Sequence, residues 1–217
     1  MTVEWLGPLP EGNFLVGRHG YTVDLLVMHH MDGTLAGSDA WFHNPESGVS
    51  STFGVGRNSR CVQWLAVEDV PYANGDWIAN LTSETFEWED LNQDRPGVPA
   101  PSGLYTDEQY AAGSALVRER ALARGIPIQR GSWAGGTPGI VCHHDITNTY
   151  CPGTLDVERI VKEANSMDEE TVKRLVREVL VEDGYPNFVK AATERLAIDA
   201  HHTHDVPLAG VATSEPK

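Results

Sequence analysis

Basic residues are scarce in this chain: 16 Lys and Arg stand against 31 Asp and Glu, a formal charge of −15 at pH 7. Such an excess repels phosphate backbones and anionic bilayers, so neither nucleic acid nor membrane is an expected partner. Long apolar runs are missing too. Nothing approaches the roughly 20 residues that span a bilayer, and the opening MTVEWLGPLPEGNF lacks the basic-then-apolar order of a signal peptide. A soluble protein without an export signal is expected. Cysteine is limited to Cys61, Cys142 and Cys151, too few and odd in number for a disulfide framework; a reducing compartment or a metal role fits better. No repeat of about 20–50 residues is visible, which removes solenoids and propellers.

What is present is a globular composition. The 217 residues are 41% hydrophobic, with 21 Gly and 13 Pro, as in a packed, loop-rich domain of about 150 residues with an appendage. After a Gly/Pro-rich opening over residues 1–20, the β-branched and aliphatic run Tyr21–His30 reads as a strand buried on both faces and ending in two histidines. Ser38 is placed to cap a short helix through Trp41 and His43. Ser51–Val55 and Cys61–Leu65 look like a hairpin across a turn at Arg57–Arg60. Residues 80–90 alternate as another strand, with Thr85, Glu87 and Glu89 on one side and Phe86 and Trp88 on the other.

Leu91–Leu104, with its prolines and glycines, is a loop, and Thr106-Asp-Glu-Gln109 is a capping box. The helix it opens has an apolar stripe of Tyr110, Leu116, Val117 and Leu122 and stops at Gly125. Ile126–Ile128 suggests a short edge strand. A second strand, Ile140–Cys142, again ends in a histidine pair, and helical spacing follows over Leu155–Ala164. This is an α/β pattern: a central mixed β-sheet flanked by helices. From Ser166 a further capping box and two apolar stripes predict a C-terminal helical hairpin. The domain division is therefore 1–165 for a catalytic core and 166–217 for a helical appendage with a frayed tail. The His201-His202-Thr-His204 cluster reads as solvated.

A histidine at the end of one strand, another at the end of a second, and a cysteine shortly afterwards form a donor set that zinc uses. Alternation along a strand sends only one histidine of each pair to the metal. Cys61 and Cys142, in apolar strands, read as buried small hydrophobes. Of the tryptophans, Trp64 and Trp88 belong to strands and to the core. Loop-borne Trp77 and Trp133 are candidates for a substrate groove.

These residues carry a resemblance. The strand end Val27-Met28-His29-His30, the stretch Val49–Val55, the Gln63-Trp64 strand and His143-x7-Cys151-Pro-Gly, over roughly residues 20–165, are similar to the zinc-dependent N-acetylmuramoyl-L-alanine amidases of type 2, which include phage endolysins and peptidoglycan recognition proteins. The resemblance selects His29 over His30, and His143 over His144, as ligands that with Cys151 hold one zinc ion. Some branches place a tyrosine where Ser50 or Ser51 stands here; others place a glutamate where Glu87 falls. Glu87 is thus the implied general base, with Glu89 as the alternate on the same strand face. Thr149, two positions before the cysteine, is the implied oxyanion contact. His30 and His144 are expected to orient ligands or line the cleft.

The implied activity is cleavage of the amide between the lactyl group of N-acetylmuramic acid and the first L-alanine of the peptidoglycan stem peptide. Peptidoglycan is the implied partner. A phage endolysin, held in the host cytoplasm until lysis and then acting on the cell wall, fits the absent signal. The alternatives are a cytoplasmic amidase recycling muropeptides, a zinc peptidase of another kind, and a non-catalytic peptidoglycan-binding protein; binding-only members typically lose the cysteine, which is present here.

Overall fold

The computed structural model describes residues 2–166; the expected C-terminal hairpin and the His201–His204 cluster lie outside these residues. In chain order the elements are β1 (Val3–Trp5), β2 (Phe14–Leu15), β3 (Leu25–His30), α1 (Leu35–Phe42), β4 (Phe53–Val55), β5 (Cys61–Gln63), β6 (Val70–Pro71), α2 (Trp77–Leu81), β7 (Ser83–Trp88), α3 (Asp107–Arg124), β8 (Gly139–Cys142), a single 3₁₀ turn (His143–Asp145) and α4 (Val157–Ser166). Six strands form one sheet in the order β1-β5-β4-β7-β3-β8, and β2 pairs with β6 apart from it. Within the large sheet only β4 and β5 run antiparallel. This is the mixed α/β sheet expected from the strand and helix pattern.

Strand β3 lies between β7 and β8, buried on both faces, which is why its sequence is a continuous apolar run rather than an alternation. Leu26 and Met28 join Phe86, Trp88, Leu116, Val117 and Ile160 in the main core, beneath α3 and α4. Leu25 and Val27 face the other way, beside Val141, Trp133 and Ile146. His29 continues that second face, and the parallel register sets it opposite Glu87. The α3 boundaries follow their caps: Thr106 Oγ1 accepts from Gln109 N at 3.1 Å, and Gly125 leaves the helix at φ 68°.

Several local expectations are corrected. The first helix starts at Leu35 with Thr34 as its cap, not Ser38, which is buried inside it. Residues 80 and 81 finish α2, whose cap Asp76 accepts from Ala79 N, and the strand begins only at Ser83. Ile126–Ile128 forms no strand; the neighbouring Arg130 makes an isolated bridge to Ile140. Leu122 is 55% exposed and lies off the buried stripe of α3.

The main-core face of β7 carries one charge. Glu84 is fully buried and receives Arg120 through Nε and Nη2 at 2.8 and 2.9 Å and Arg124 through Nε at 2.7 Å. Burial raises this carboxyl, but the guanidiniums, Arg120 before Arg124, outweigh it and hold it below the ordinary carboxylate range. A depressed folded value means that the stabilisation is present above the unfolded pKa, about 4.3, and is lost as pH falls through the folded one. Glu84→Gln is expected to destabilise by about 3–5 kcal/mol at pH 7, because the buried Arg120 loses its carboxylate and Arg124 is left with the exposed Glu68. In urea melts the gap from wild type should narrow at pH 3. An equal gap at both pH values would contradict this account.

Candidate metal centre and active site

Strands β3, β7 and β8 run parallel, so their carboxyl ends share one edge of the sheet, where parallel sheets place ligands. His29 ends β3, His143 follows β8 directly, and Cys151 lies on the loop beyond. One donor atom from each lies within 4.8 Å of the others. The His29 and His143 ring centres are 4.4 Å apart, and Cys151 Sγ is 3.6 Å from His29 Nδ1. His144 is exposed and its ring lies 3.7 Å from Asp145 Oδ1. The separation of His143 from His144 comes from the 3₁₀ turn and not from strand alternation, because β8 has ended at Cys142.

Each donor has a fixed partner. His29 Nε2 lies 3.0 Å from Asn74 Oδ1, while Asn74 Nδ2 donates to Ser83 Oγ at 2.9 Å and Asn74 N donates to Asn80 Oδ1 at 2.9 Å. With its amide nitrogen engaged by Ser83, Asn74 presents oxygen to His29. The imidazole proton therefore sits on Nε2, and the Nδ1 lone pair faces Cys151. His143 Nε2 meets Thr147 Oγ1 at 3.1 Å. Cys151 is held by three hydrogen bonds: its N donates to Thr149 Oγ1 at 3.2 Å, its carbonyl accepts from His144 N at 2.9 Å, and its sulfur accepts from His30 N at 3.3 Å.

The electrostatics suit a cation. Burial first, then neighbouring His143, holds the His29 imidazole well below its ordinary value; burial lowers His143 as well. Both rings are neutral donors at pH 7. Burial and next the Glu87 carboxyl push the Cys151 thiol up, so without a metal it keeps its proton. Two neutral imidazoles and one thiol fit zinc, which takes N and S donors in a tetrahedron and lowers the thiol pKa on binding. Uptake must then release a proton. Apparent affinity should rise about tenfold per pH unit between pH 6 and 8, read by chelator competition with proton release measured in parallel. A pH-independent affinity would rule this out.

Glu87 is buried at 9% exposure on the same sheet face as His29. Burial first, then Asp90, pushes its carboxyl up to about 8. Glu89 is differently occupied: the strand has ended at Trp88, and its oxygens accept from Leu35 N at 3.0 Å and Arg57 N at 2.9 Å, closing the start of α1. Glu84 and Asp90 lie on the other side, Asp90 within 3.3 Å of His30 Nδ1. Ser51, in the position of the tyrosine of some branches, bonds to Thr85 Oγ1 at 2.8 Å, and Ser50 Oγ accepts from Tyr72 N. Trp64 and Trp88 are buried and Trp77 is 52% exposed, its ring 6.1 Å from that of Tyr72. Trp133 is half-buried and packs against Leu25, Val27 and Val141.

Asn74 is a residue that the sequence does not point to. It sits in a loop of Ala, Gly and Asp with no periodicity to mark it, and its meaning comes only from contact with a strand 45 positions away. Asn74→Ala should weaken metal binding by about 10–100-fold, as loss of a ligand's outer partner does. Dialysis against graded zinc buffers would measure it; unchanged affinity would show that the His29 orientation is set elsewhere.

Comparison with known proteins bears on the fold and the family. No curated protein matches the chain. Among solved structures, the endolysin N-acetylmuramoyl-L-alanine amidase LysCS from Clostridium intestinale is 15% identical with a TM-score of 0.57, covering 76% of this chain and 95% of its own. The catalytic domain of XlyA is 14% identical with a TM-score of 0.56, covering 76% and 99%. An AmpD structure is 18% identical with a TM-score of 0.55, covering 74% and 93%. At these identities the likeness concerns the fold. The family model described as N-acetylmuramoyl-L-alanine amidase matches residues 19–154, a span that takes in His29, Glu87, His143 and Cys151, and the chain belongs to that amidase family.

Proposed function

We propose that this protein is a zinc-dependent peptidoglycan amidase that cuts between the lactyl group of N-acetylmuramic acid and L-alanine, and that it serves as a phage endolysin. The observation that supports it most is the convergence of His29, His143 and Cys151 within 4.8 Å, with the buried Glu87 in register beside His29. These three residues hold the metal. When bound, zinc supplies a positive charge that lowers the pKa of a water molecule and polarises a carbonyl.

The chain's own groups do the rest. Glu87, with its carboxyl raised towards the working pH, takes a proton from the attacking water and returns it to the leaving amine of alanine. Thr149 accepts from Cys151 N, and its hydroxyl hydrogen donates a hydrogen bond to the oxyanion. Asn74 and Thr147 keep the imidazoles oriented. Trp77 stands exposed on α2, just after the Asn74-Gly75 segment that touches His29 and Thr147, and offers a ring face to the sugar. Residues 1–165 form the catalytic part and 166–217 an appendage.

Purified sacculi digested with and without a zinc chelator test this reading, with new amino termini and new reducing ends assayed separately. New N-terminal alanine that disappears on chelation is expected. Reducing ends without amino termini would make the protein a glycosidase, and binding with neither product would make it a recognition module.

A further inference from the structure

Asp94 lies in the Leu91–Leu104 loop, remote in sequence from His29, His143 and Cys151, and is 1% exposed. No arginine, lysine or histidine pairs with it among the described residues; hydroxyl and amide donors satisfy it instead. Oδ2 accepts from Tyr105 Oη at 2.9 Å, from Thr154 N at 2.6 Å and from Thr154 Oγ1 at 2.9 Å, while Oδ1 accepts from Tyr150 Oη at 3.0 Å. Three of these four bonds end on residues flanking Cys151. Gly153 shows how close the approach is. Its φ is 65°, and a Cβ built there would collide with the Asp94 carboxylate, so the glycine of the Cys-Pro-Gly segment is required both by conformation and by the room Asp94 occupies.

The same loop reaches the histidine side. Asp94 N donates to Asp90 Oδ2 at 3.4 Å, and that oxygen lies 3.3 Å from His30 Nδ1. His30 N in turn donates to Cys151 Sγ. One turn of chain, residues 90–94, thus joins the segment carrying His29 to the segment carrying Cys151. Buried carboxylates with several charge-assisted bonds are strong fixtures, and a loop tied in this way loses its freedom before any metal arrives.

We propose that Asp94 is a positioning residue: it clamps Tyr150 and Thr154 on either side of Cys151 and so holds the thiol at the metal position. The inference rests on the metal reading above but not on the identity of the amide cleaved. Because Tyr150 directs its hydroxyl to Asp94, the residue lends the cleft its ring, whose centre is 6.0 Å from that of His30, rather than an acid.

Cobalt(II) titration of the full chain separates this role from a merely structural one, because a cobalt–thiolate bond has its own near-ultraviolet absorption. Asp94→Asn keeps one acceptor oxygen and should bind cobalt about tenfold more weakly, and Asp94→Ala up to about 100-fold more weakly. Both should show a reduced thiolate band per bound cobalt, with far-ultraviolet circular dichroism retained. If neither Asp94 variant folds, Thr154→Val, which removes one clamp bond from an exposed side chain of the same shape, should still lower affinity a few-fold. Folded variants with wild-type affinity and an unchanged band would overturn the proposal. Wild-type protein that takes up no cobalt would remove the metal reading and the clamp together, whereas cobalt uptake without amide hydrolysis would remove only the amidase assignment.

Discussion

Glu87→Gln should lower kcat by about 10²–10⁴ while leaving metal content and KM close to wild type. The amide has nearly the shape of the acid and removes only the capacity to exchange a proton. Stability provides an independent check. A carboxyl whose folded pKa is raised, here to about 8, is penalised in its charged form, so it costs stability as pH rises from the unfolded value of about 4.3 through the folded one. In the metal-free protein the Gln variant should therefore melt at or above the wild-type temperature at pH 8. Lost activity together with lost stability would mean that Glu87 is part of the packing and that the proton is handled elsewhere.

Cys151→Ala is expected to weaken zinc binding by more than about 100-fold, beyond what loss of an outer partner costs, and to abolish hydrolysis at physiological zinc. The cavity left is small, and the loop keeps its ties through His144 N and Asp94, so the fold should persist. Circular dichroism and zinc analysis after dialysis would check both parts. Retention of stoichiometric zinc at wild-type affinity would show that the thiol is not a ligand. Cys142→Ala is the matched control, since that thiol is 3.4 Å from the Arg130 guanidinium and outside the proposed donor set.

The parts of this molecule that were legible in its sequence are those fixed by local patterns. β3 announces itself by an apolar run, and α3 by Thr106, Gln109 and Gly125 at its ends. The β4–β5 hairpin and the buried Trp64 and Trp88 follow from the same kind of signal. Shorter elements were not legible. β1 and β2 are three and two residues long and exist only because β5 and β6 offer them edges. Ser38 is as plausible a cap as Thr34 in isolation, and the start at Thr34 brings in Glu89 from just beyond β7, which accepts from Leu35 N.

The centre divides in the same way. Histidine pairs at strand ends and the His143–Cys151 spacing are visible along the chain, and the resemblance selected the members that the fold brings within 4.8 Å. Glu87 comes from the resemblance, alternation alone puts Glu87 and Glu89 on one face, and the two separate only because the strand stops at Trp88. Asn74 and Asp94 carry no signal of their own, because each lies in an irregular loop and acts across 45 or more positions of sequence. Residues that orient ligands are selected by distance in space, which the one-dimensional pattern does not record.

The most direct test of the account is the amino-terminal analysis of sacculi treated with zinc-loaded wild-type protein, with Glu87→Gln protein and with chelated wild type. New N-terminal alanine from the first alone is the predicted result. Equal release of alanine by all three would contradict it, since hydrolysis would then need neither the metal centre nor its carboxyl.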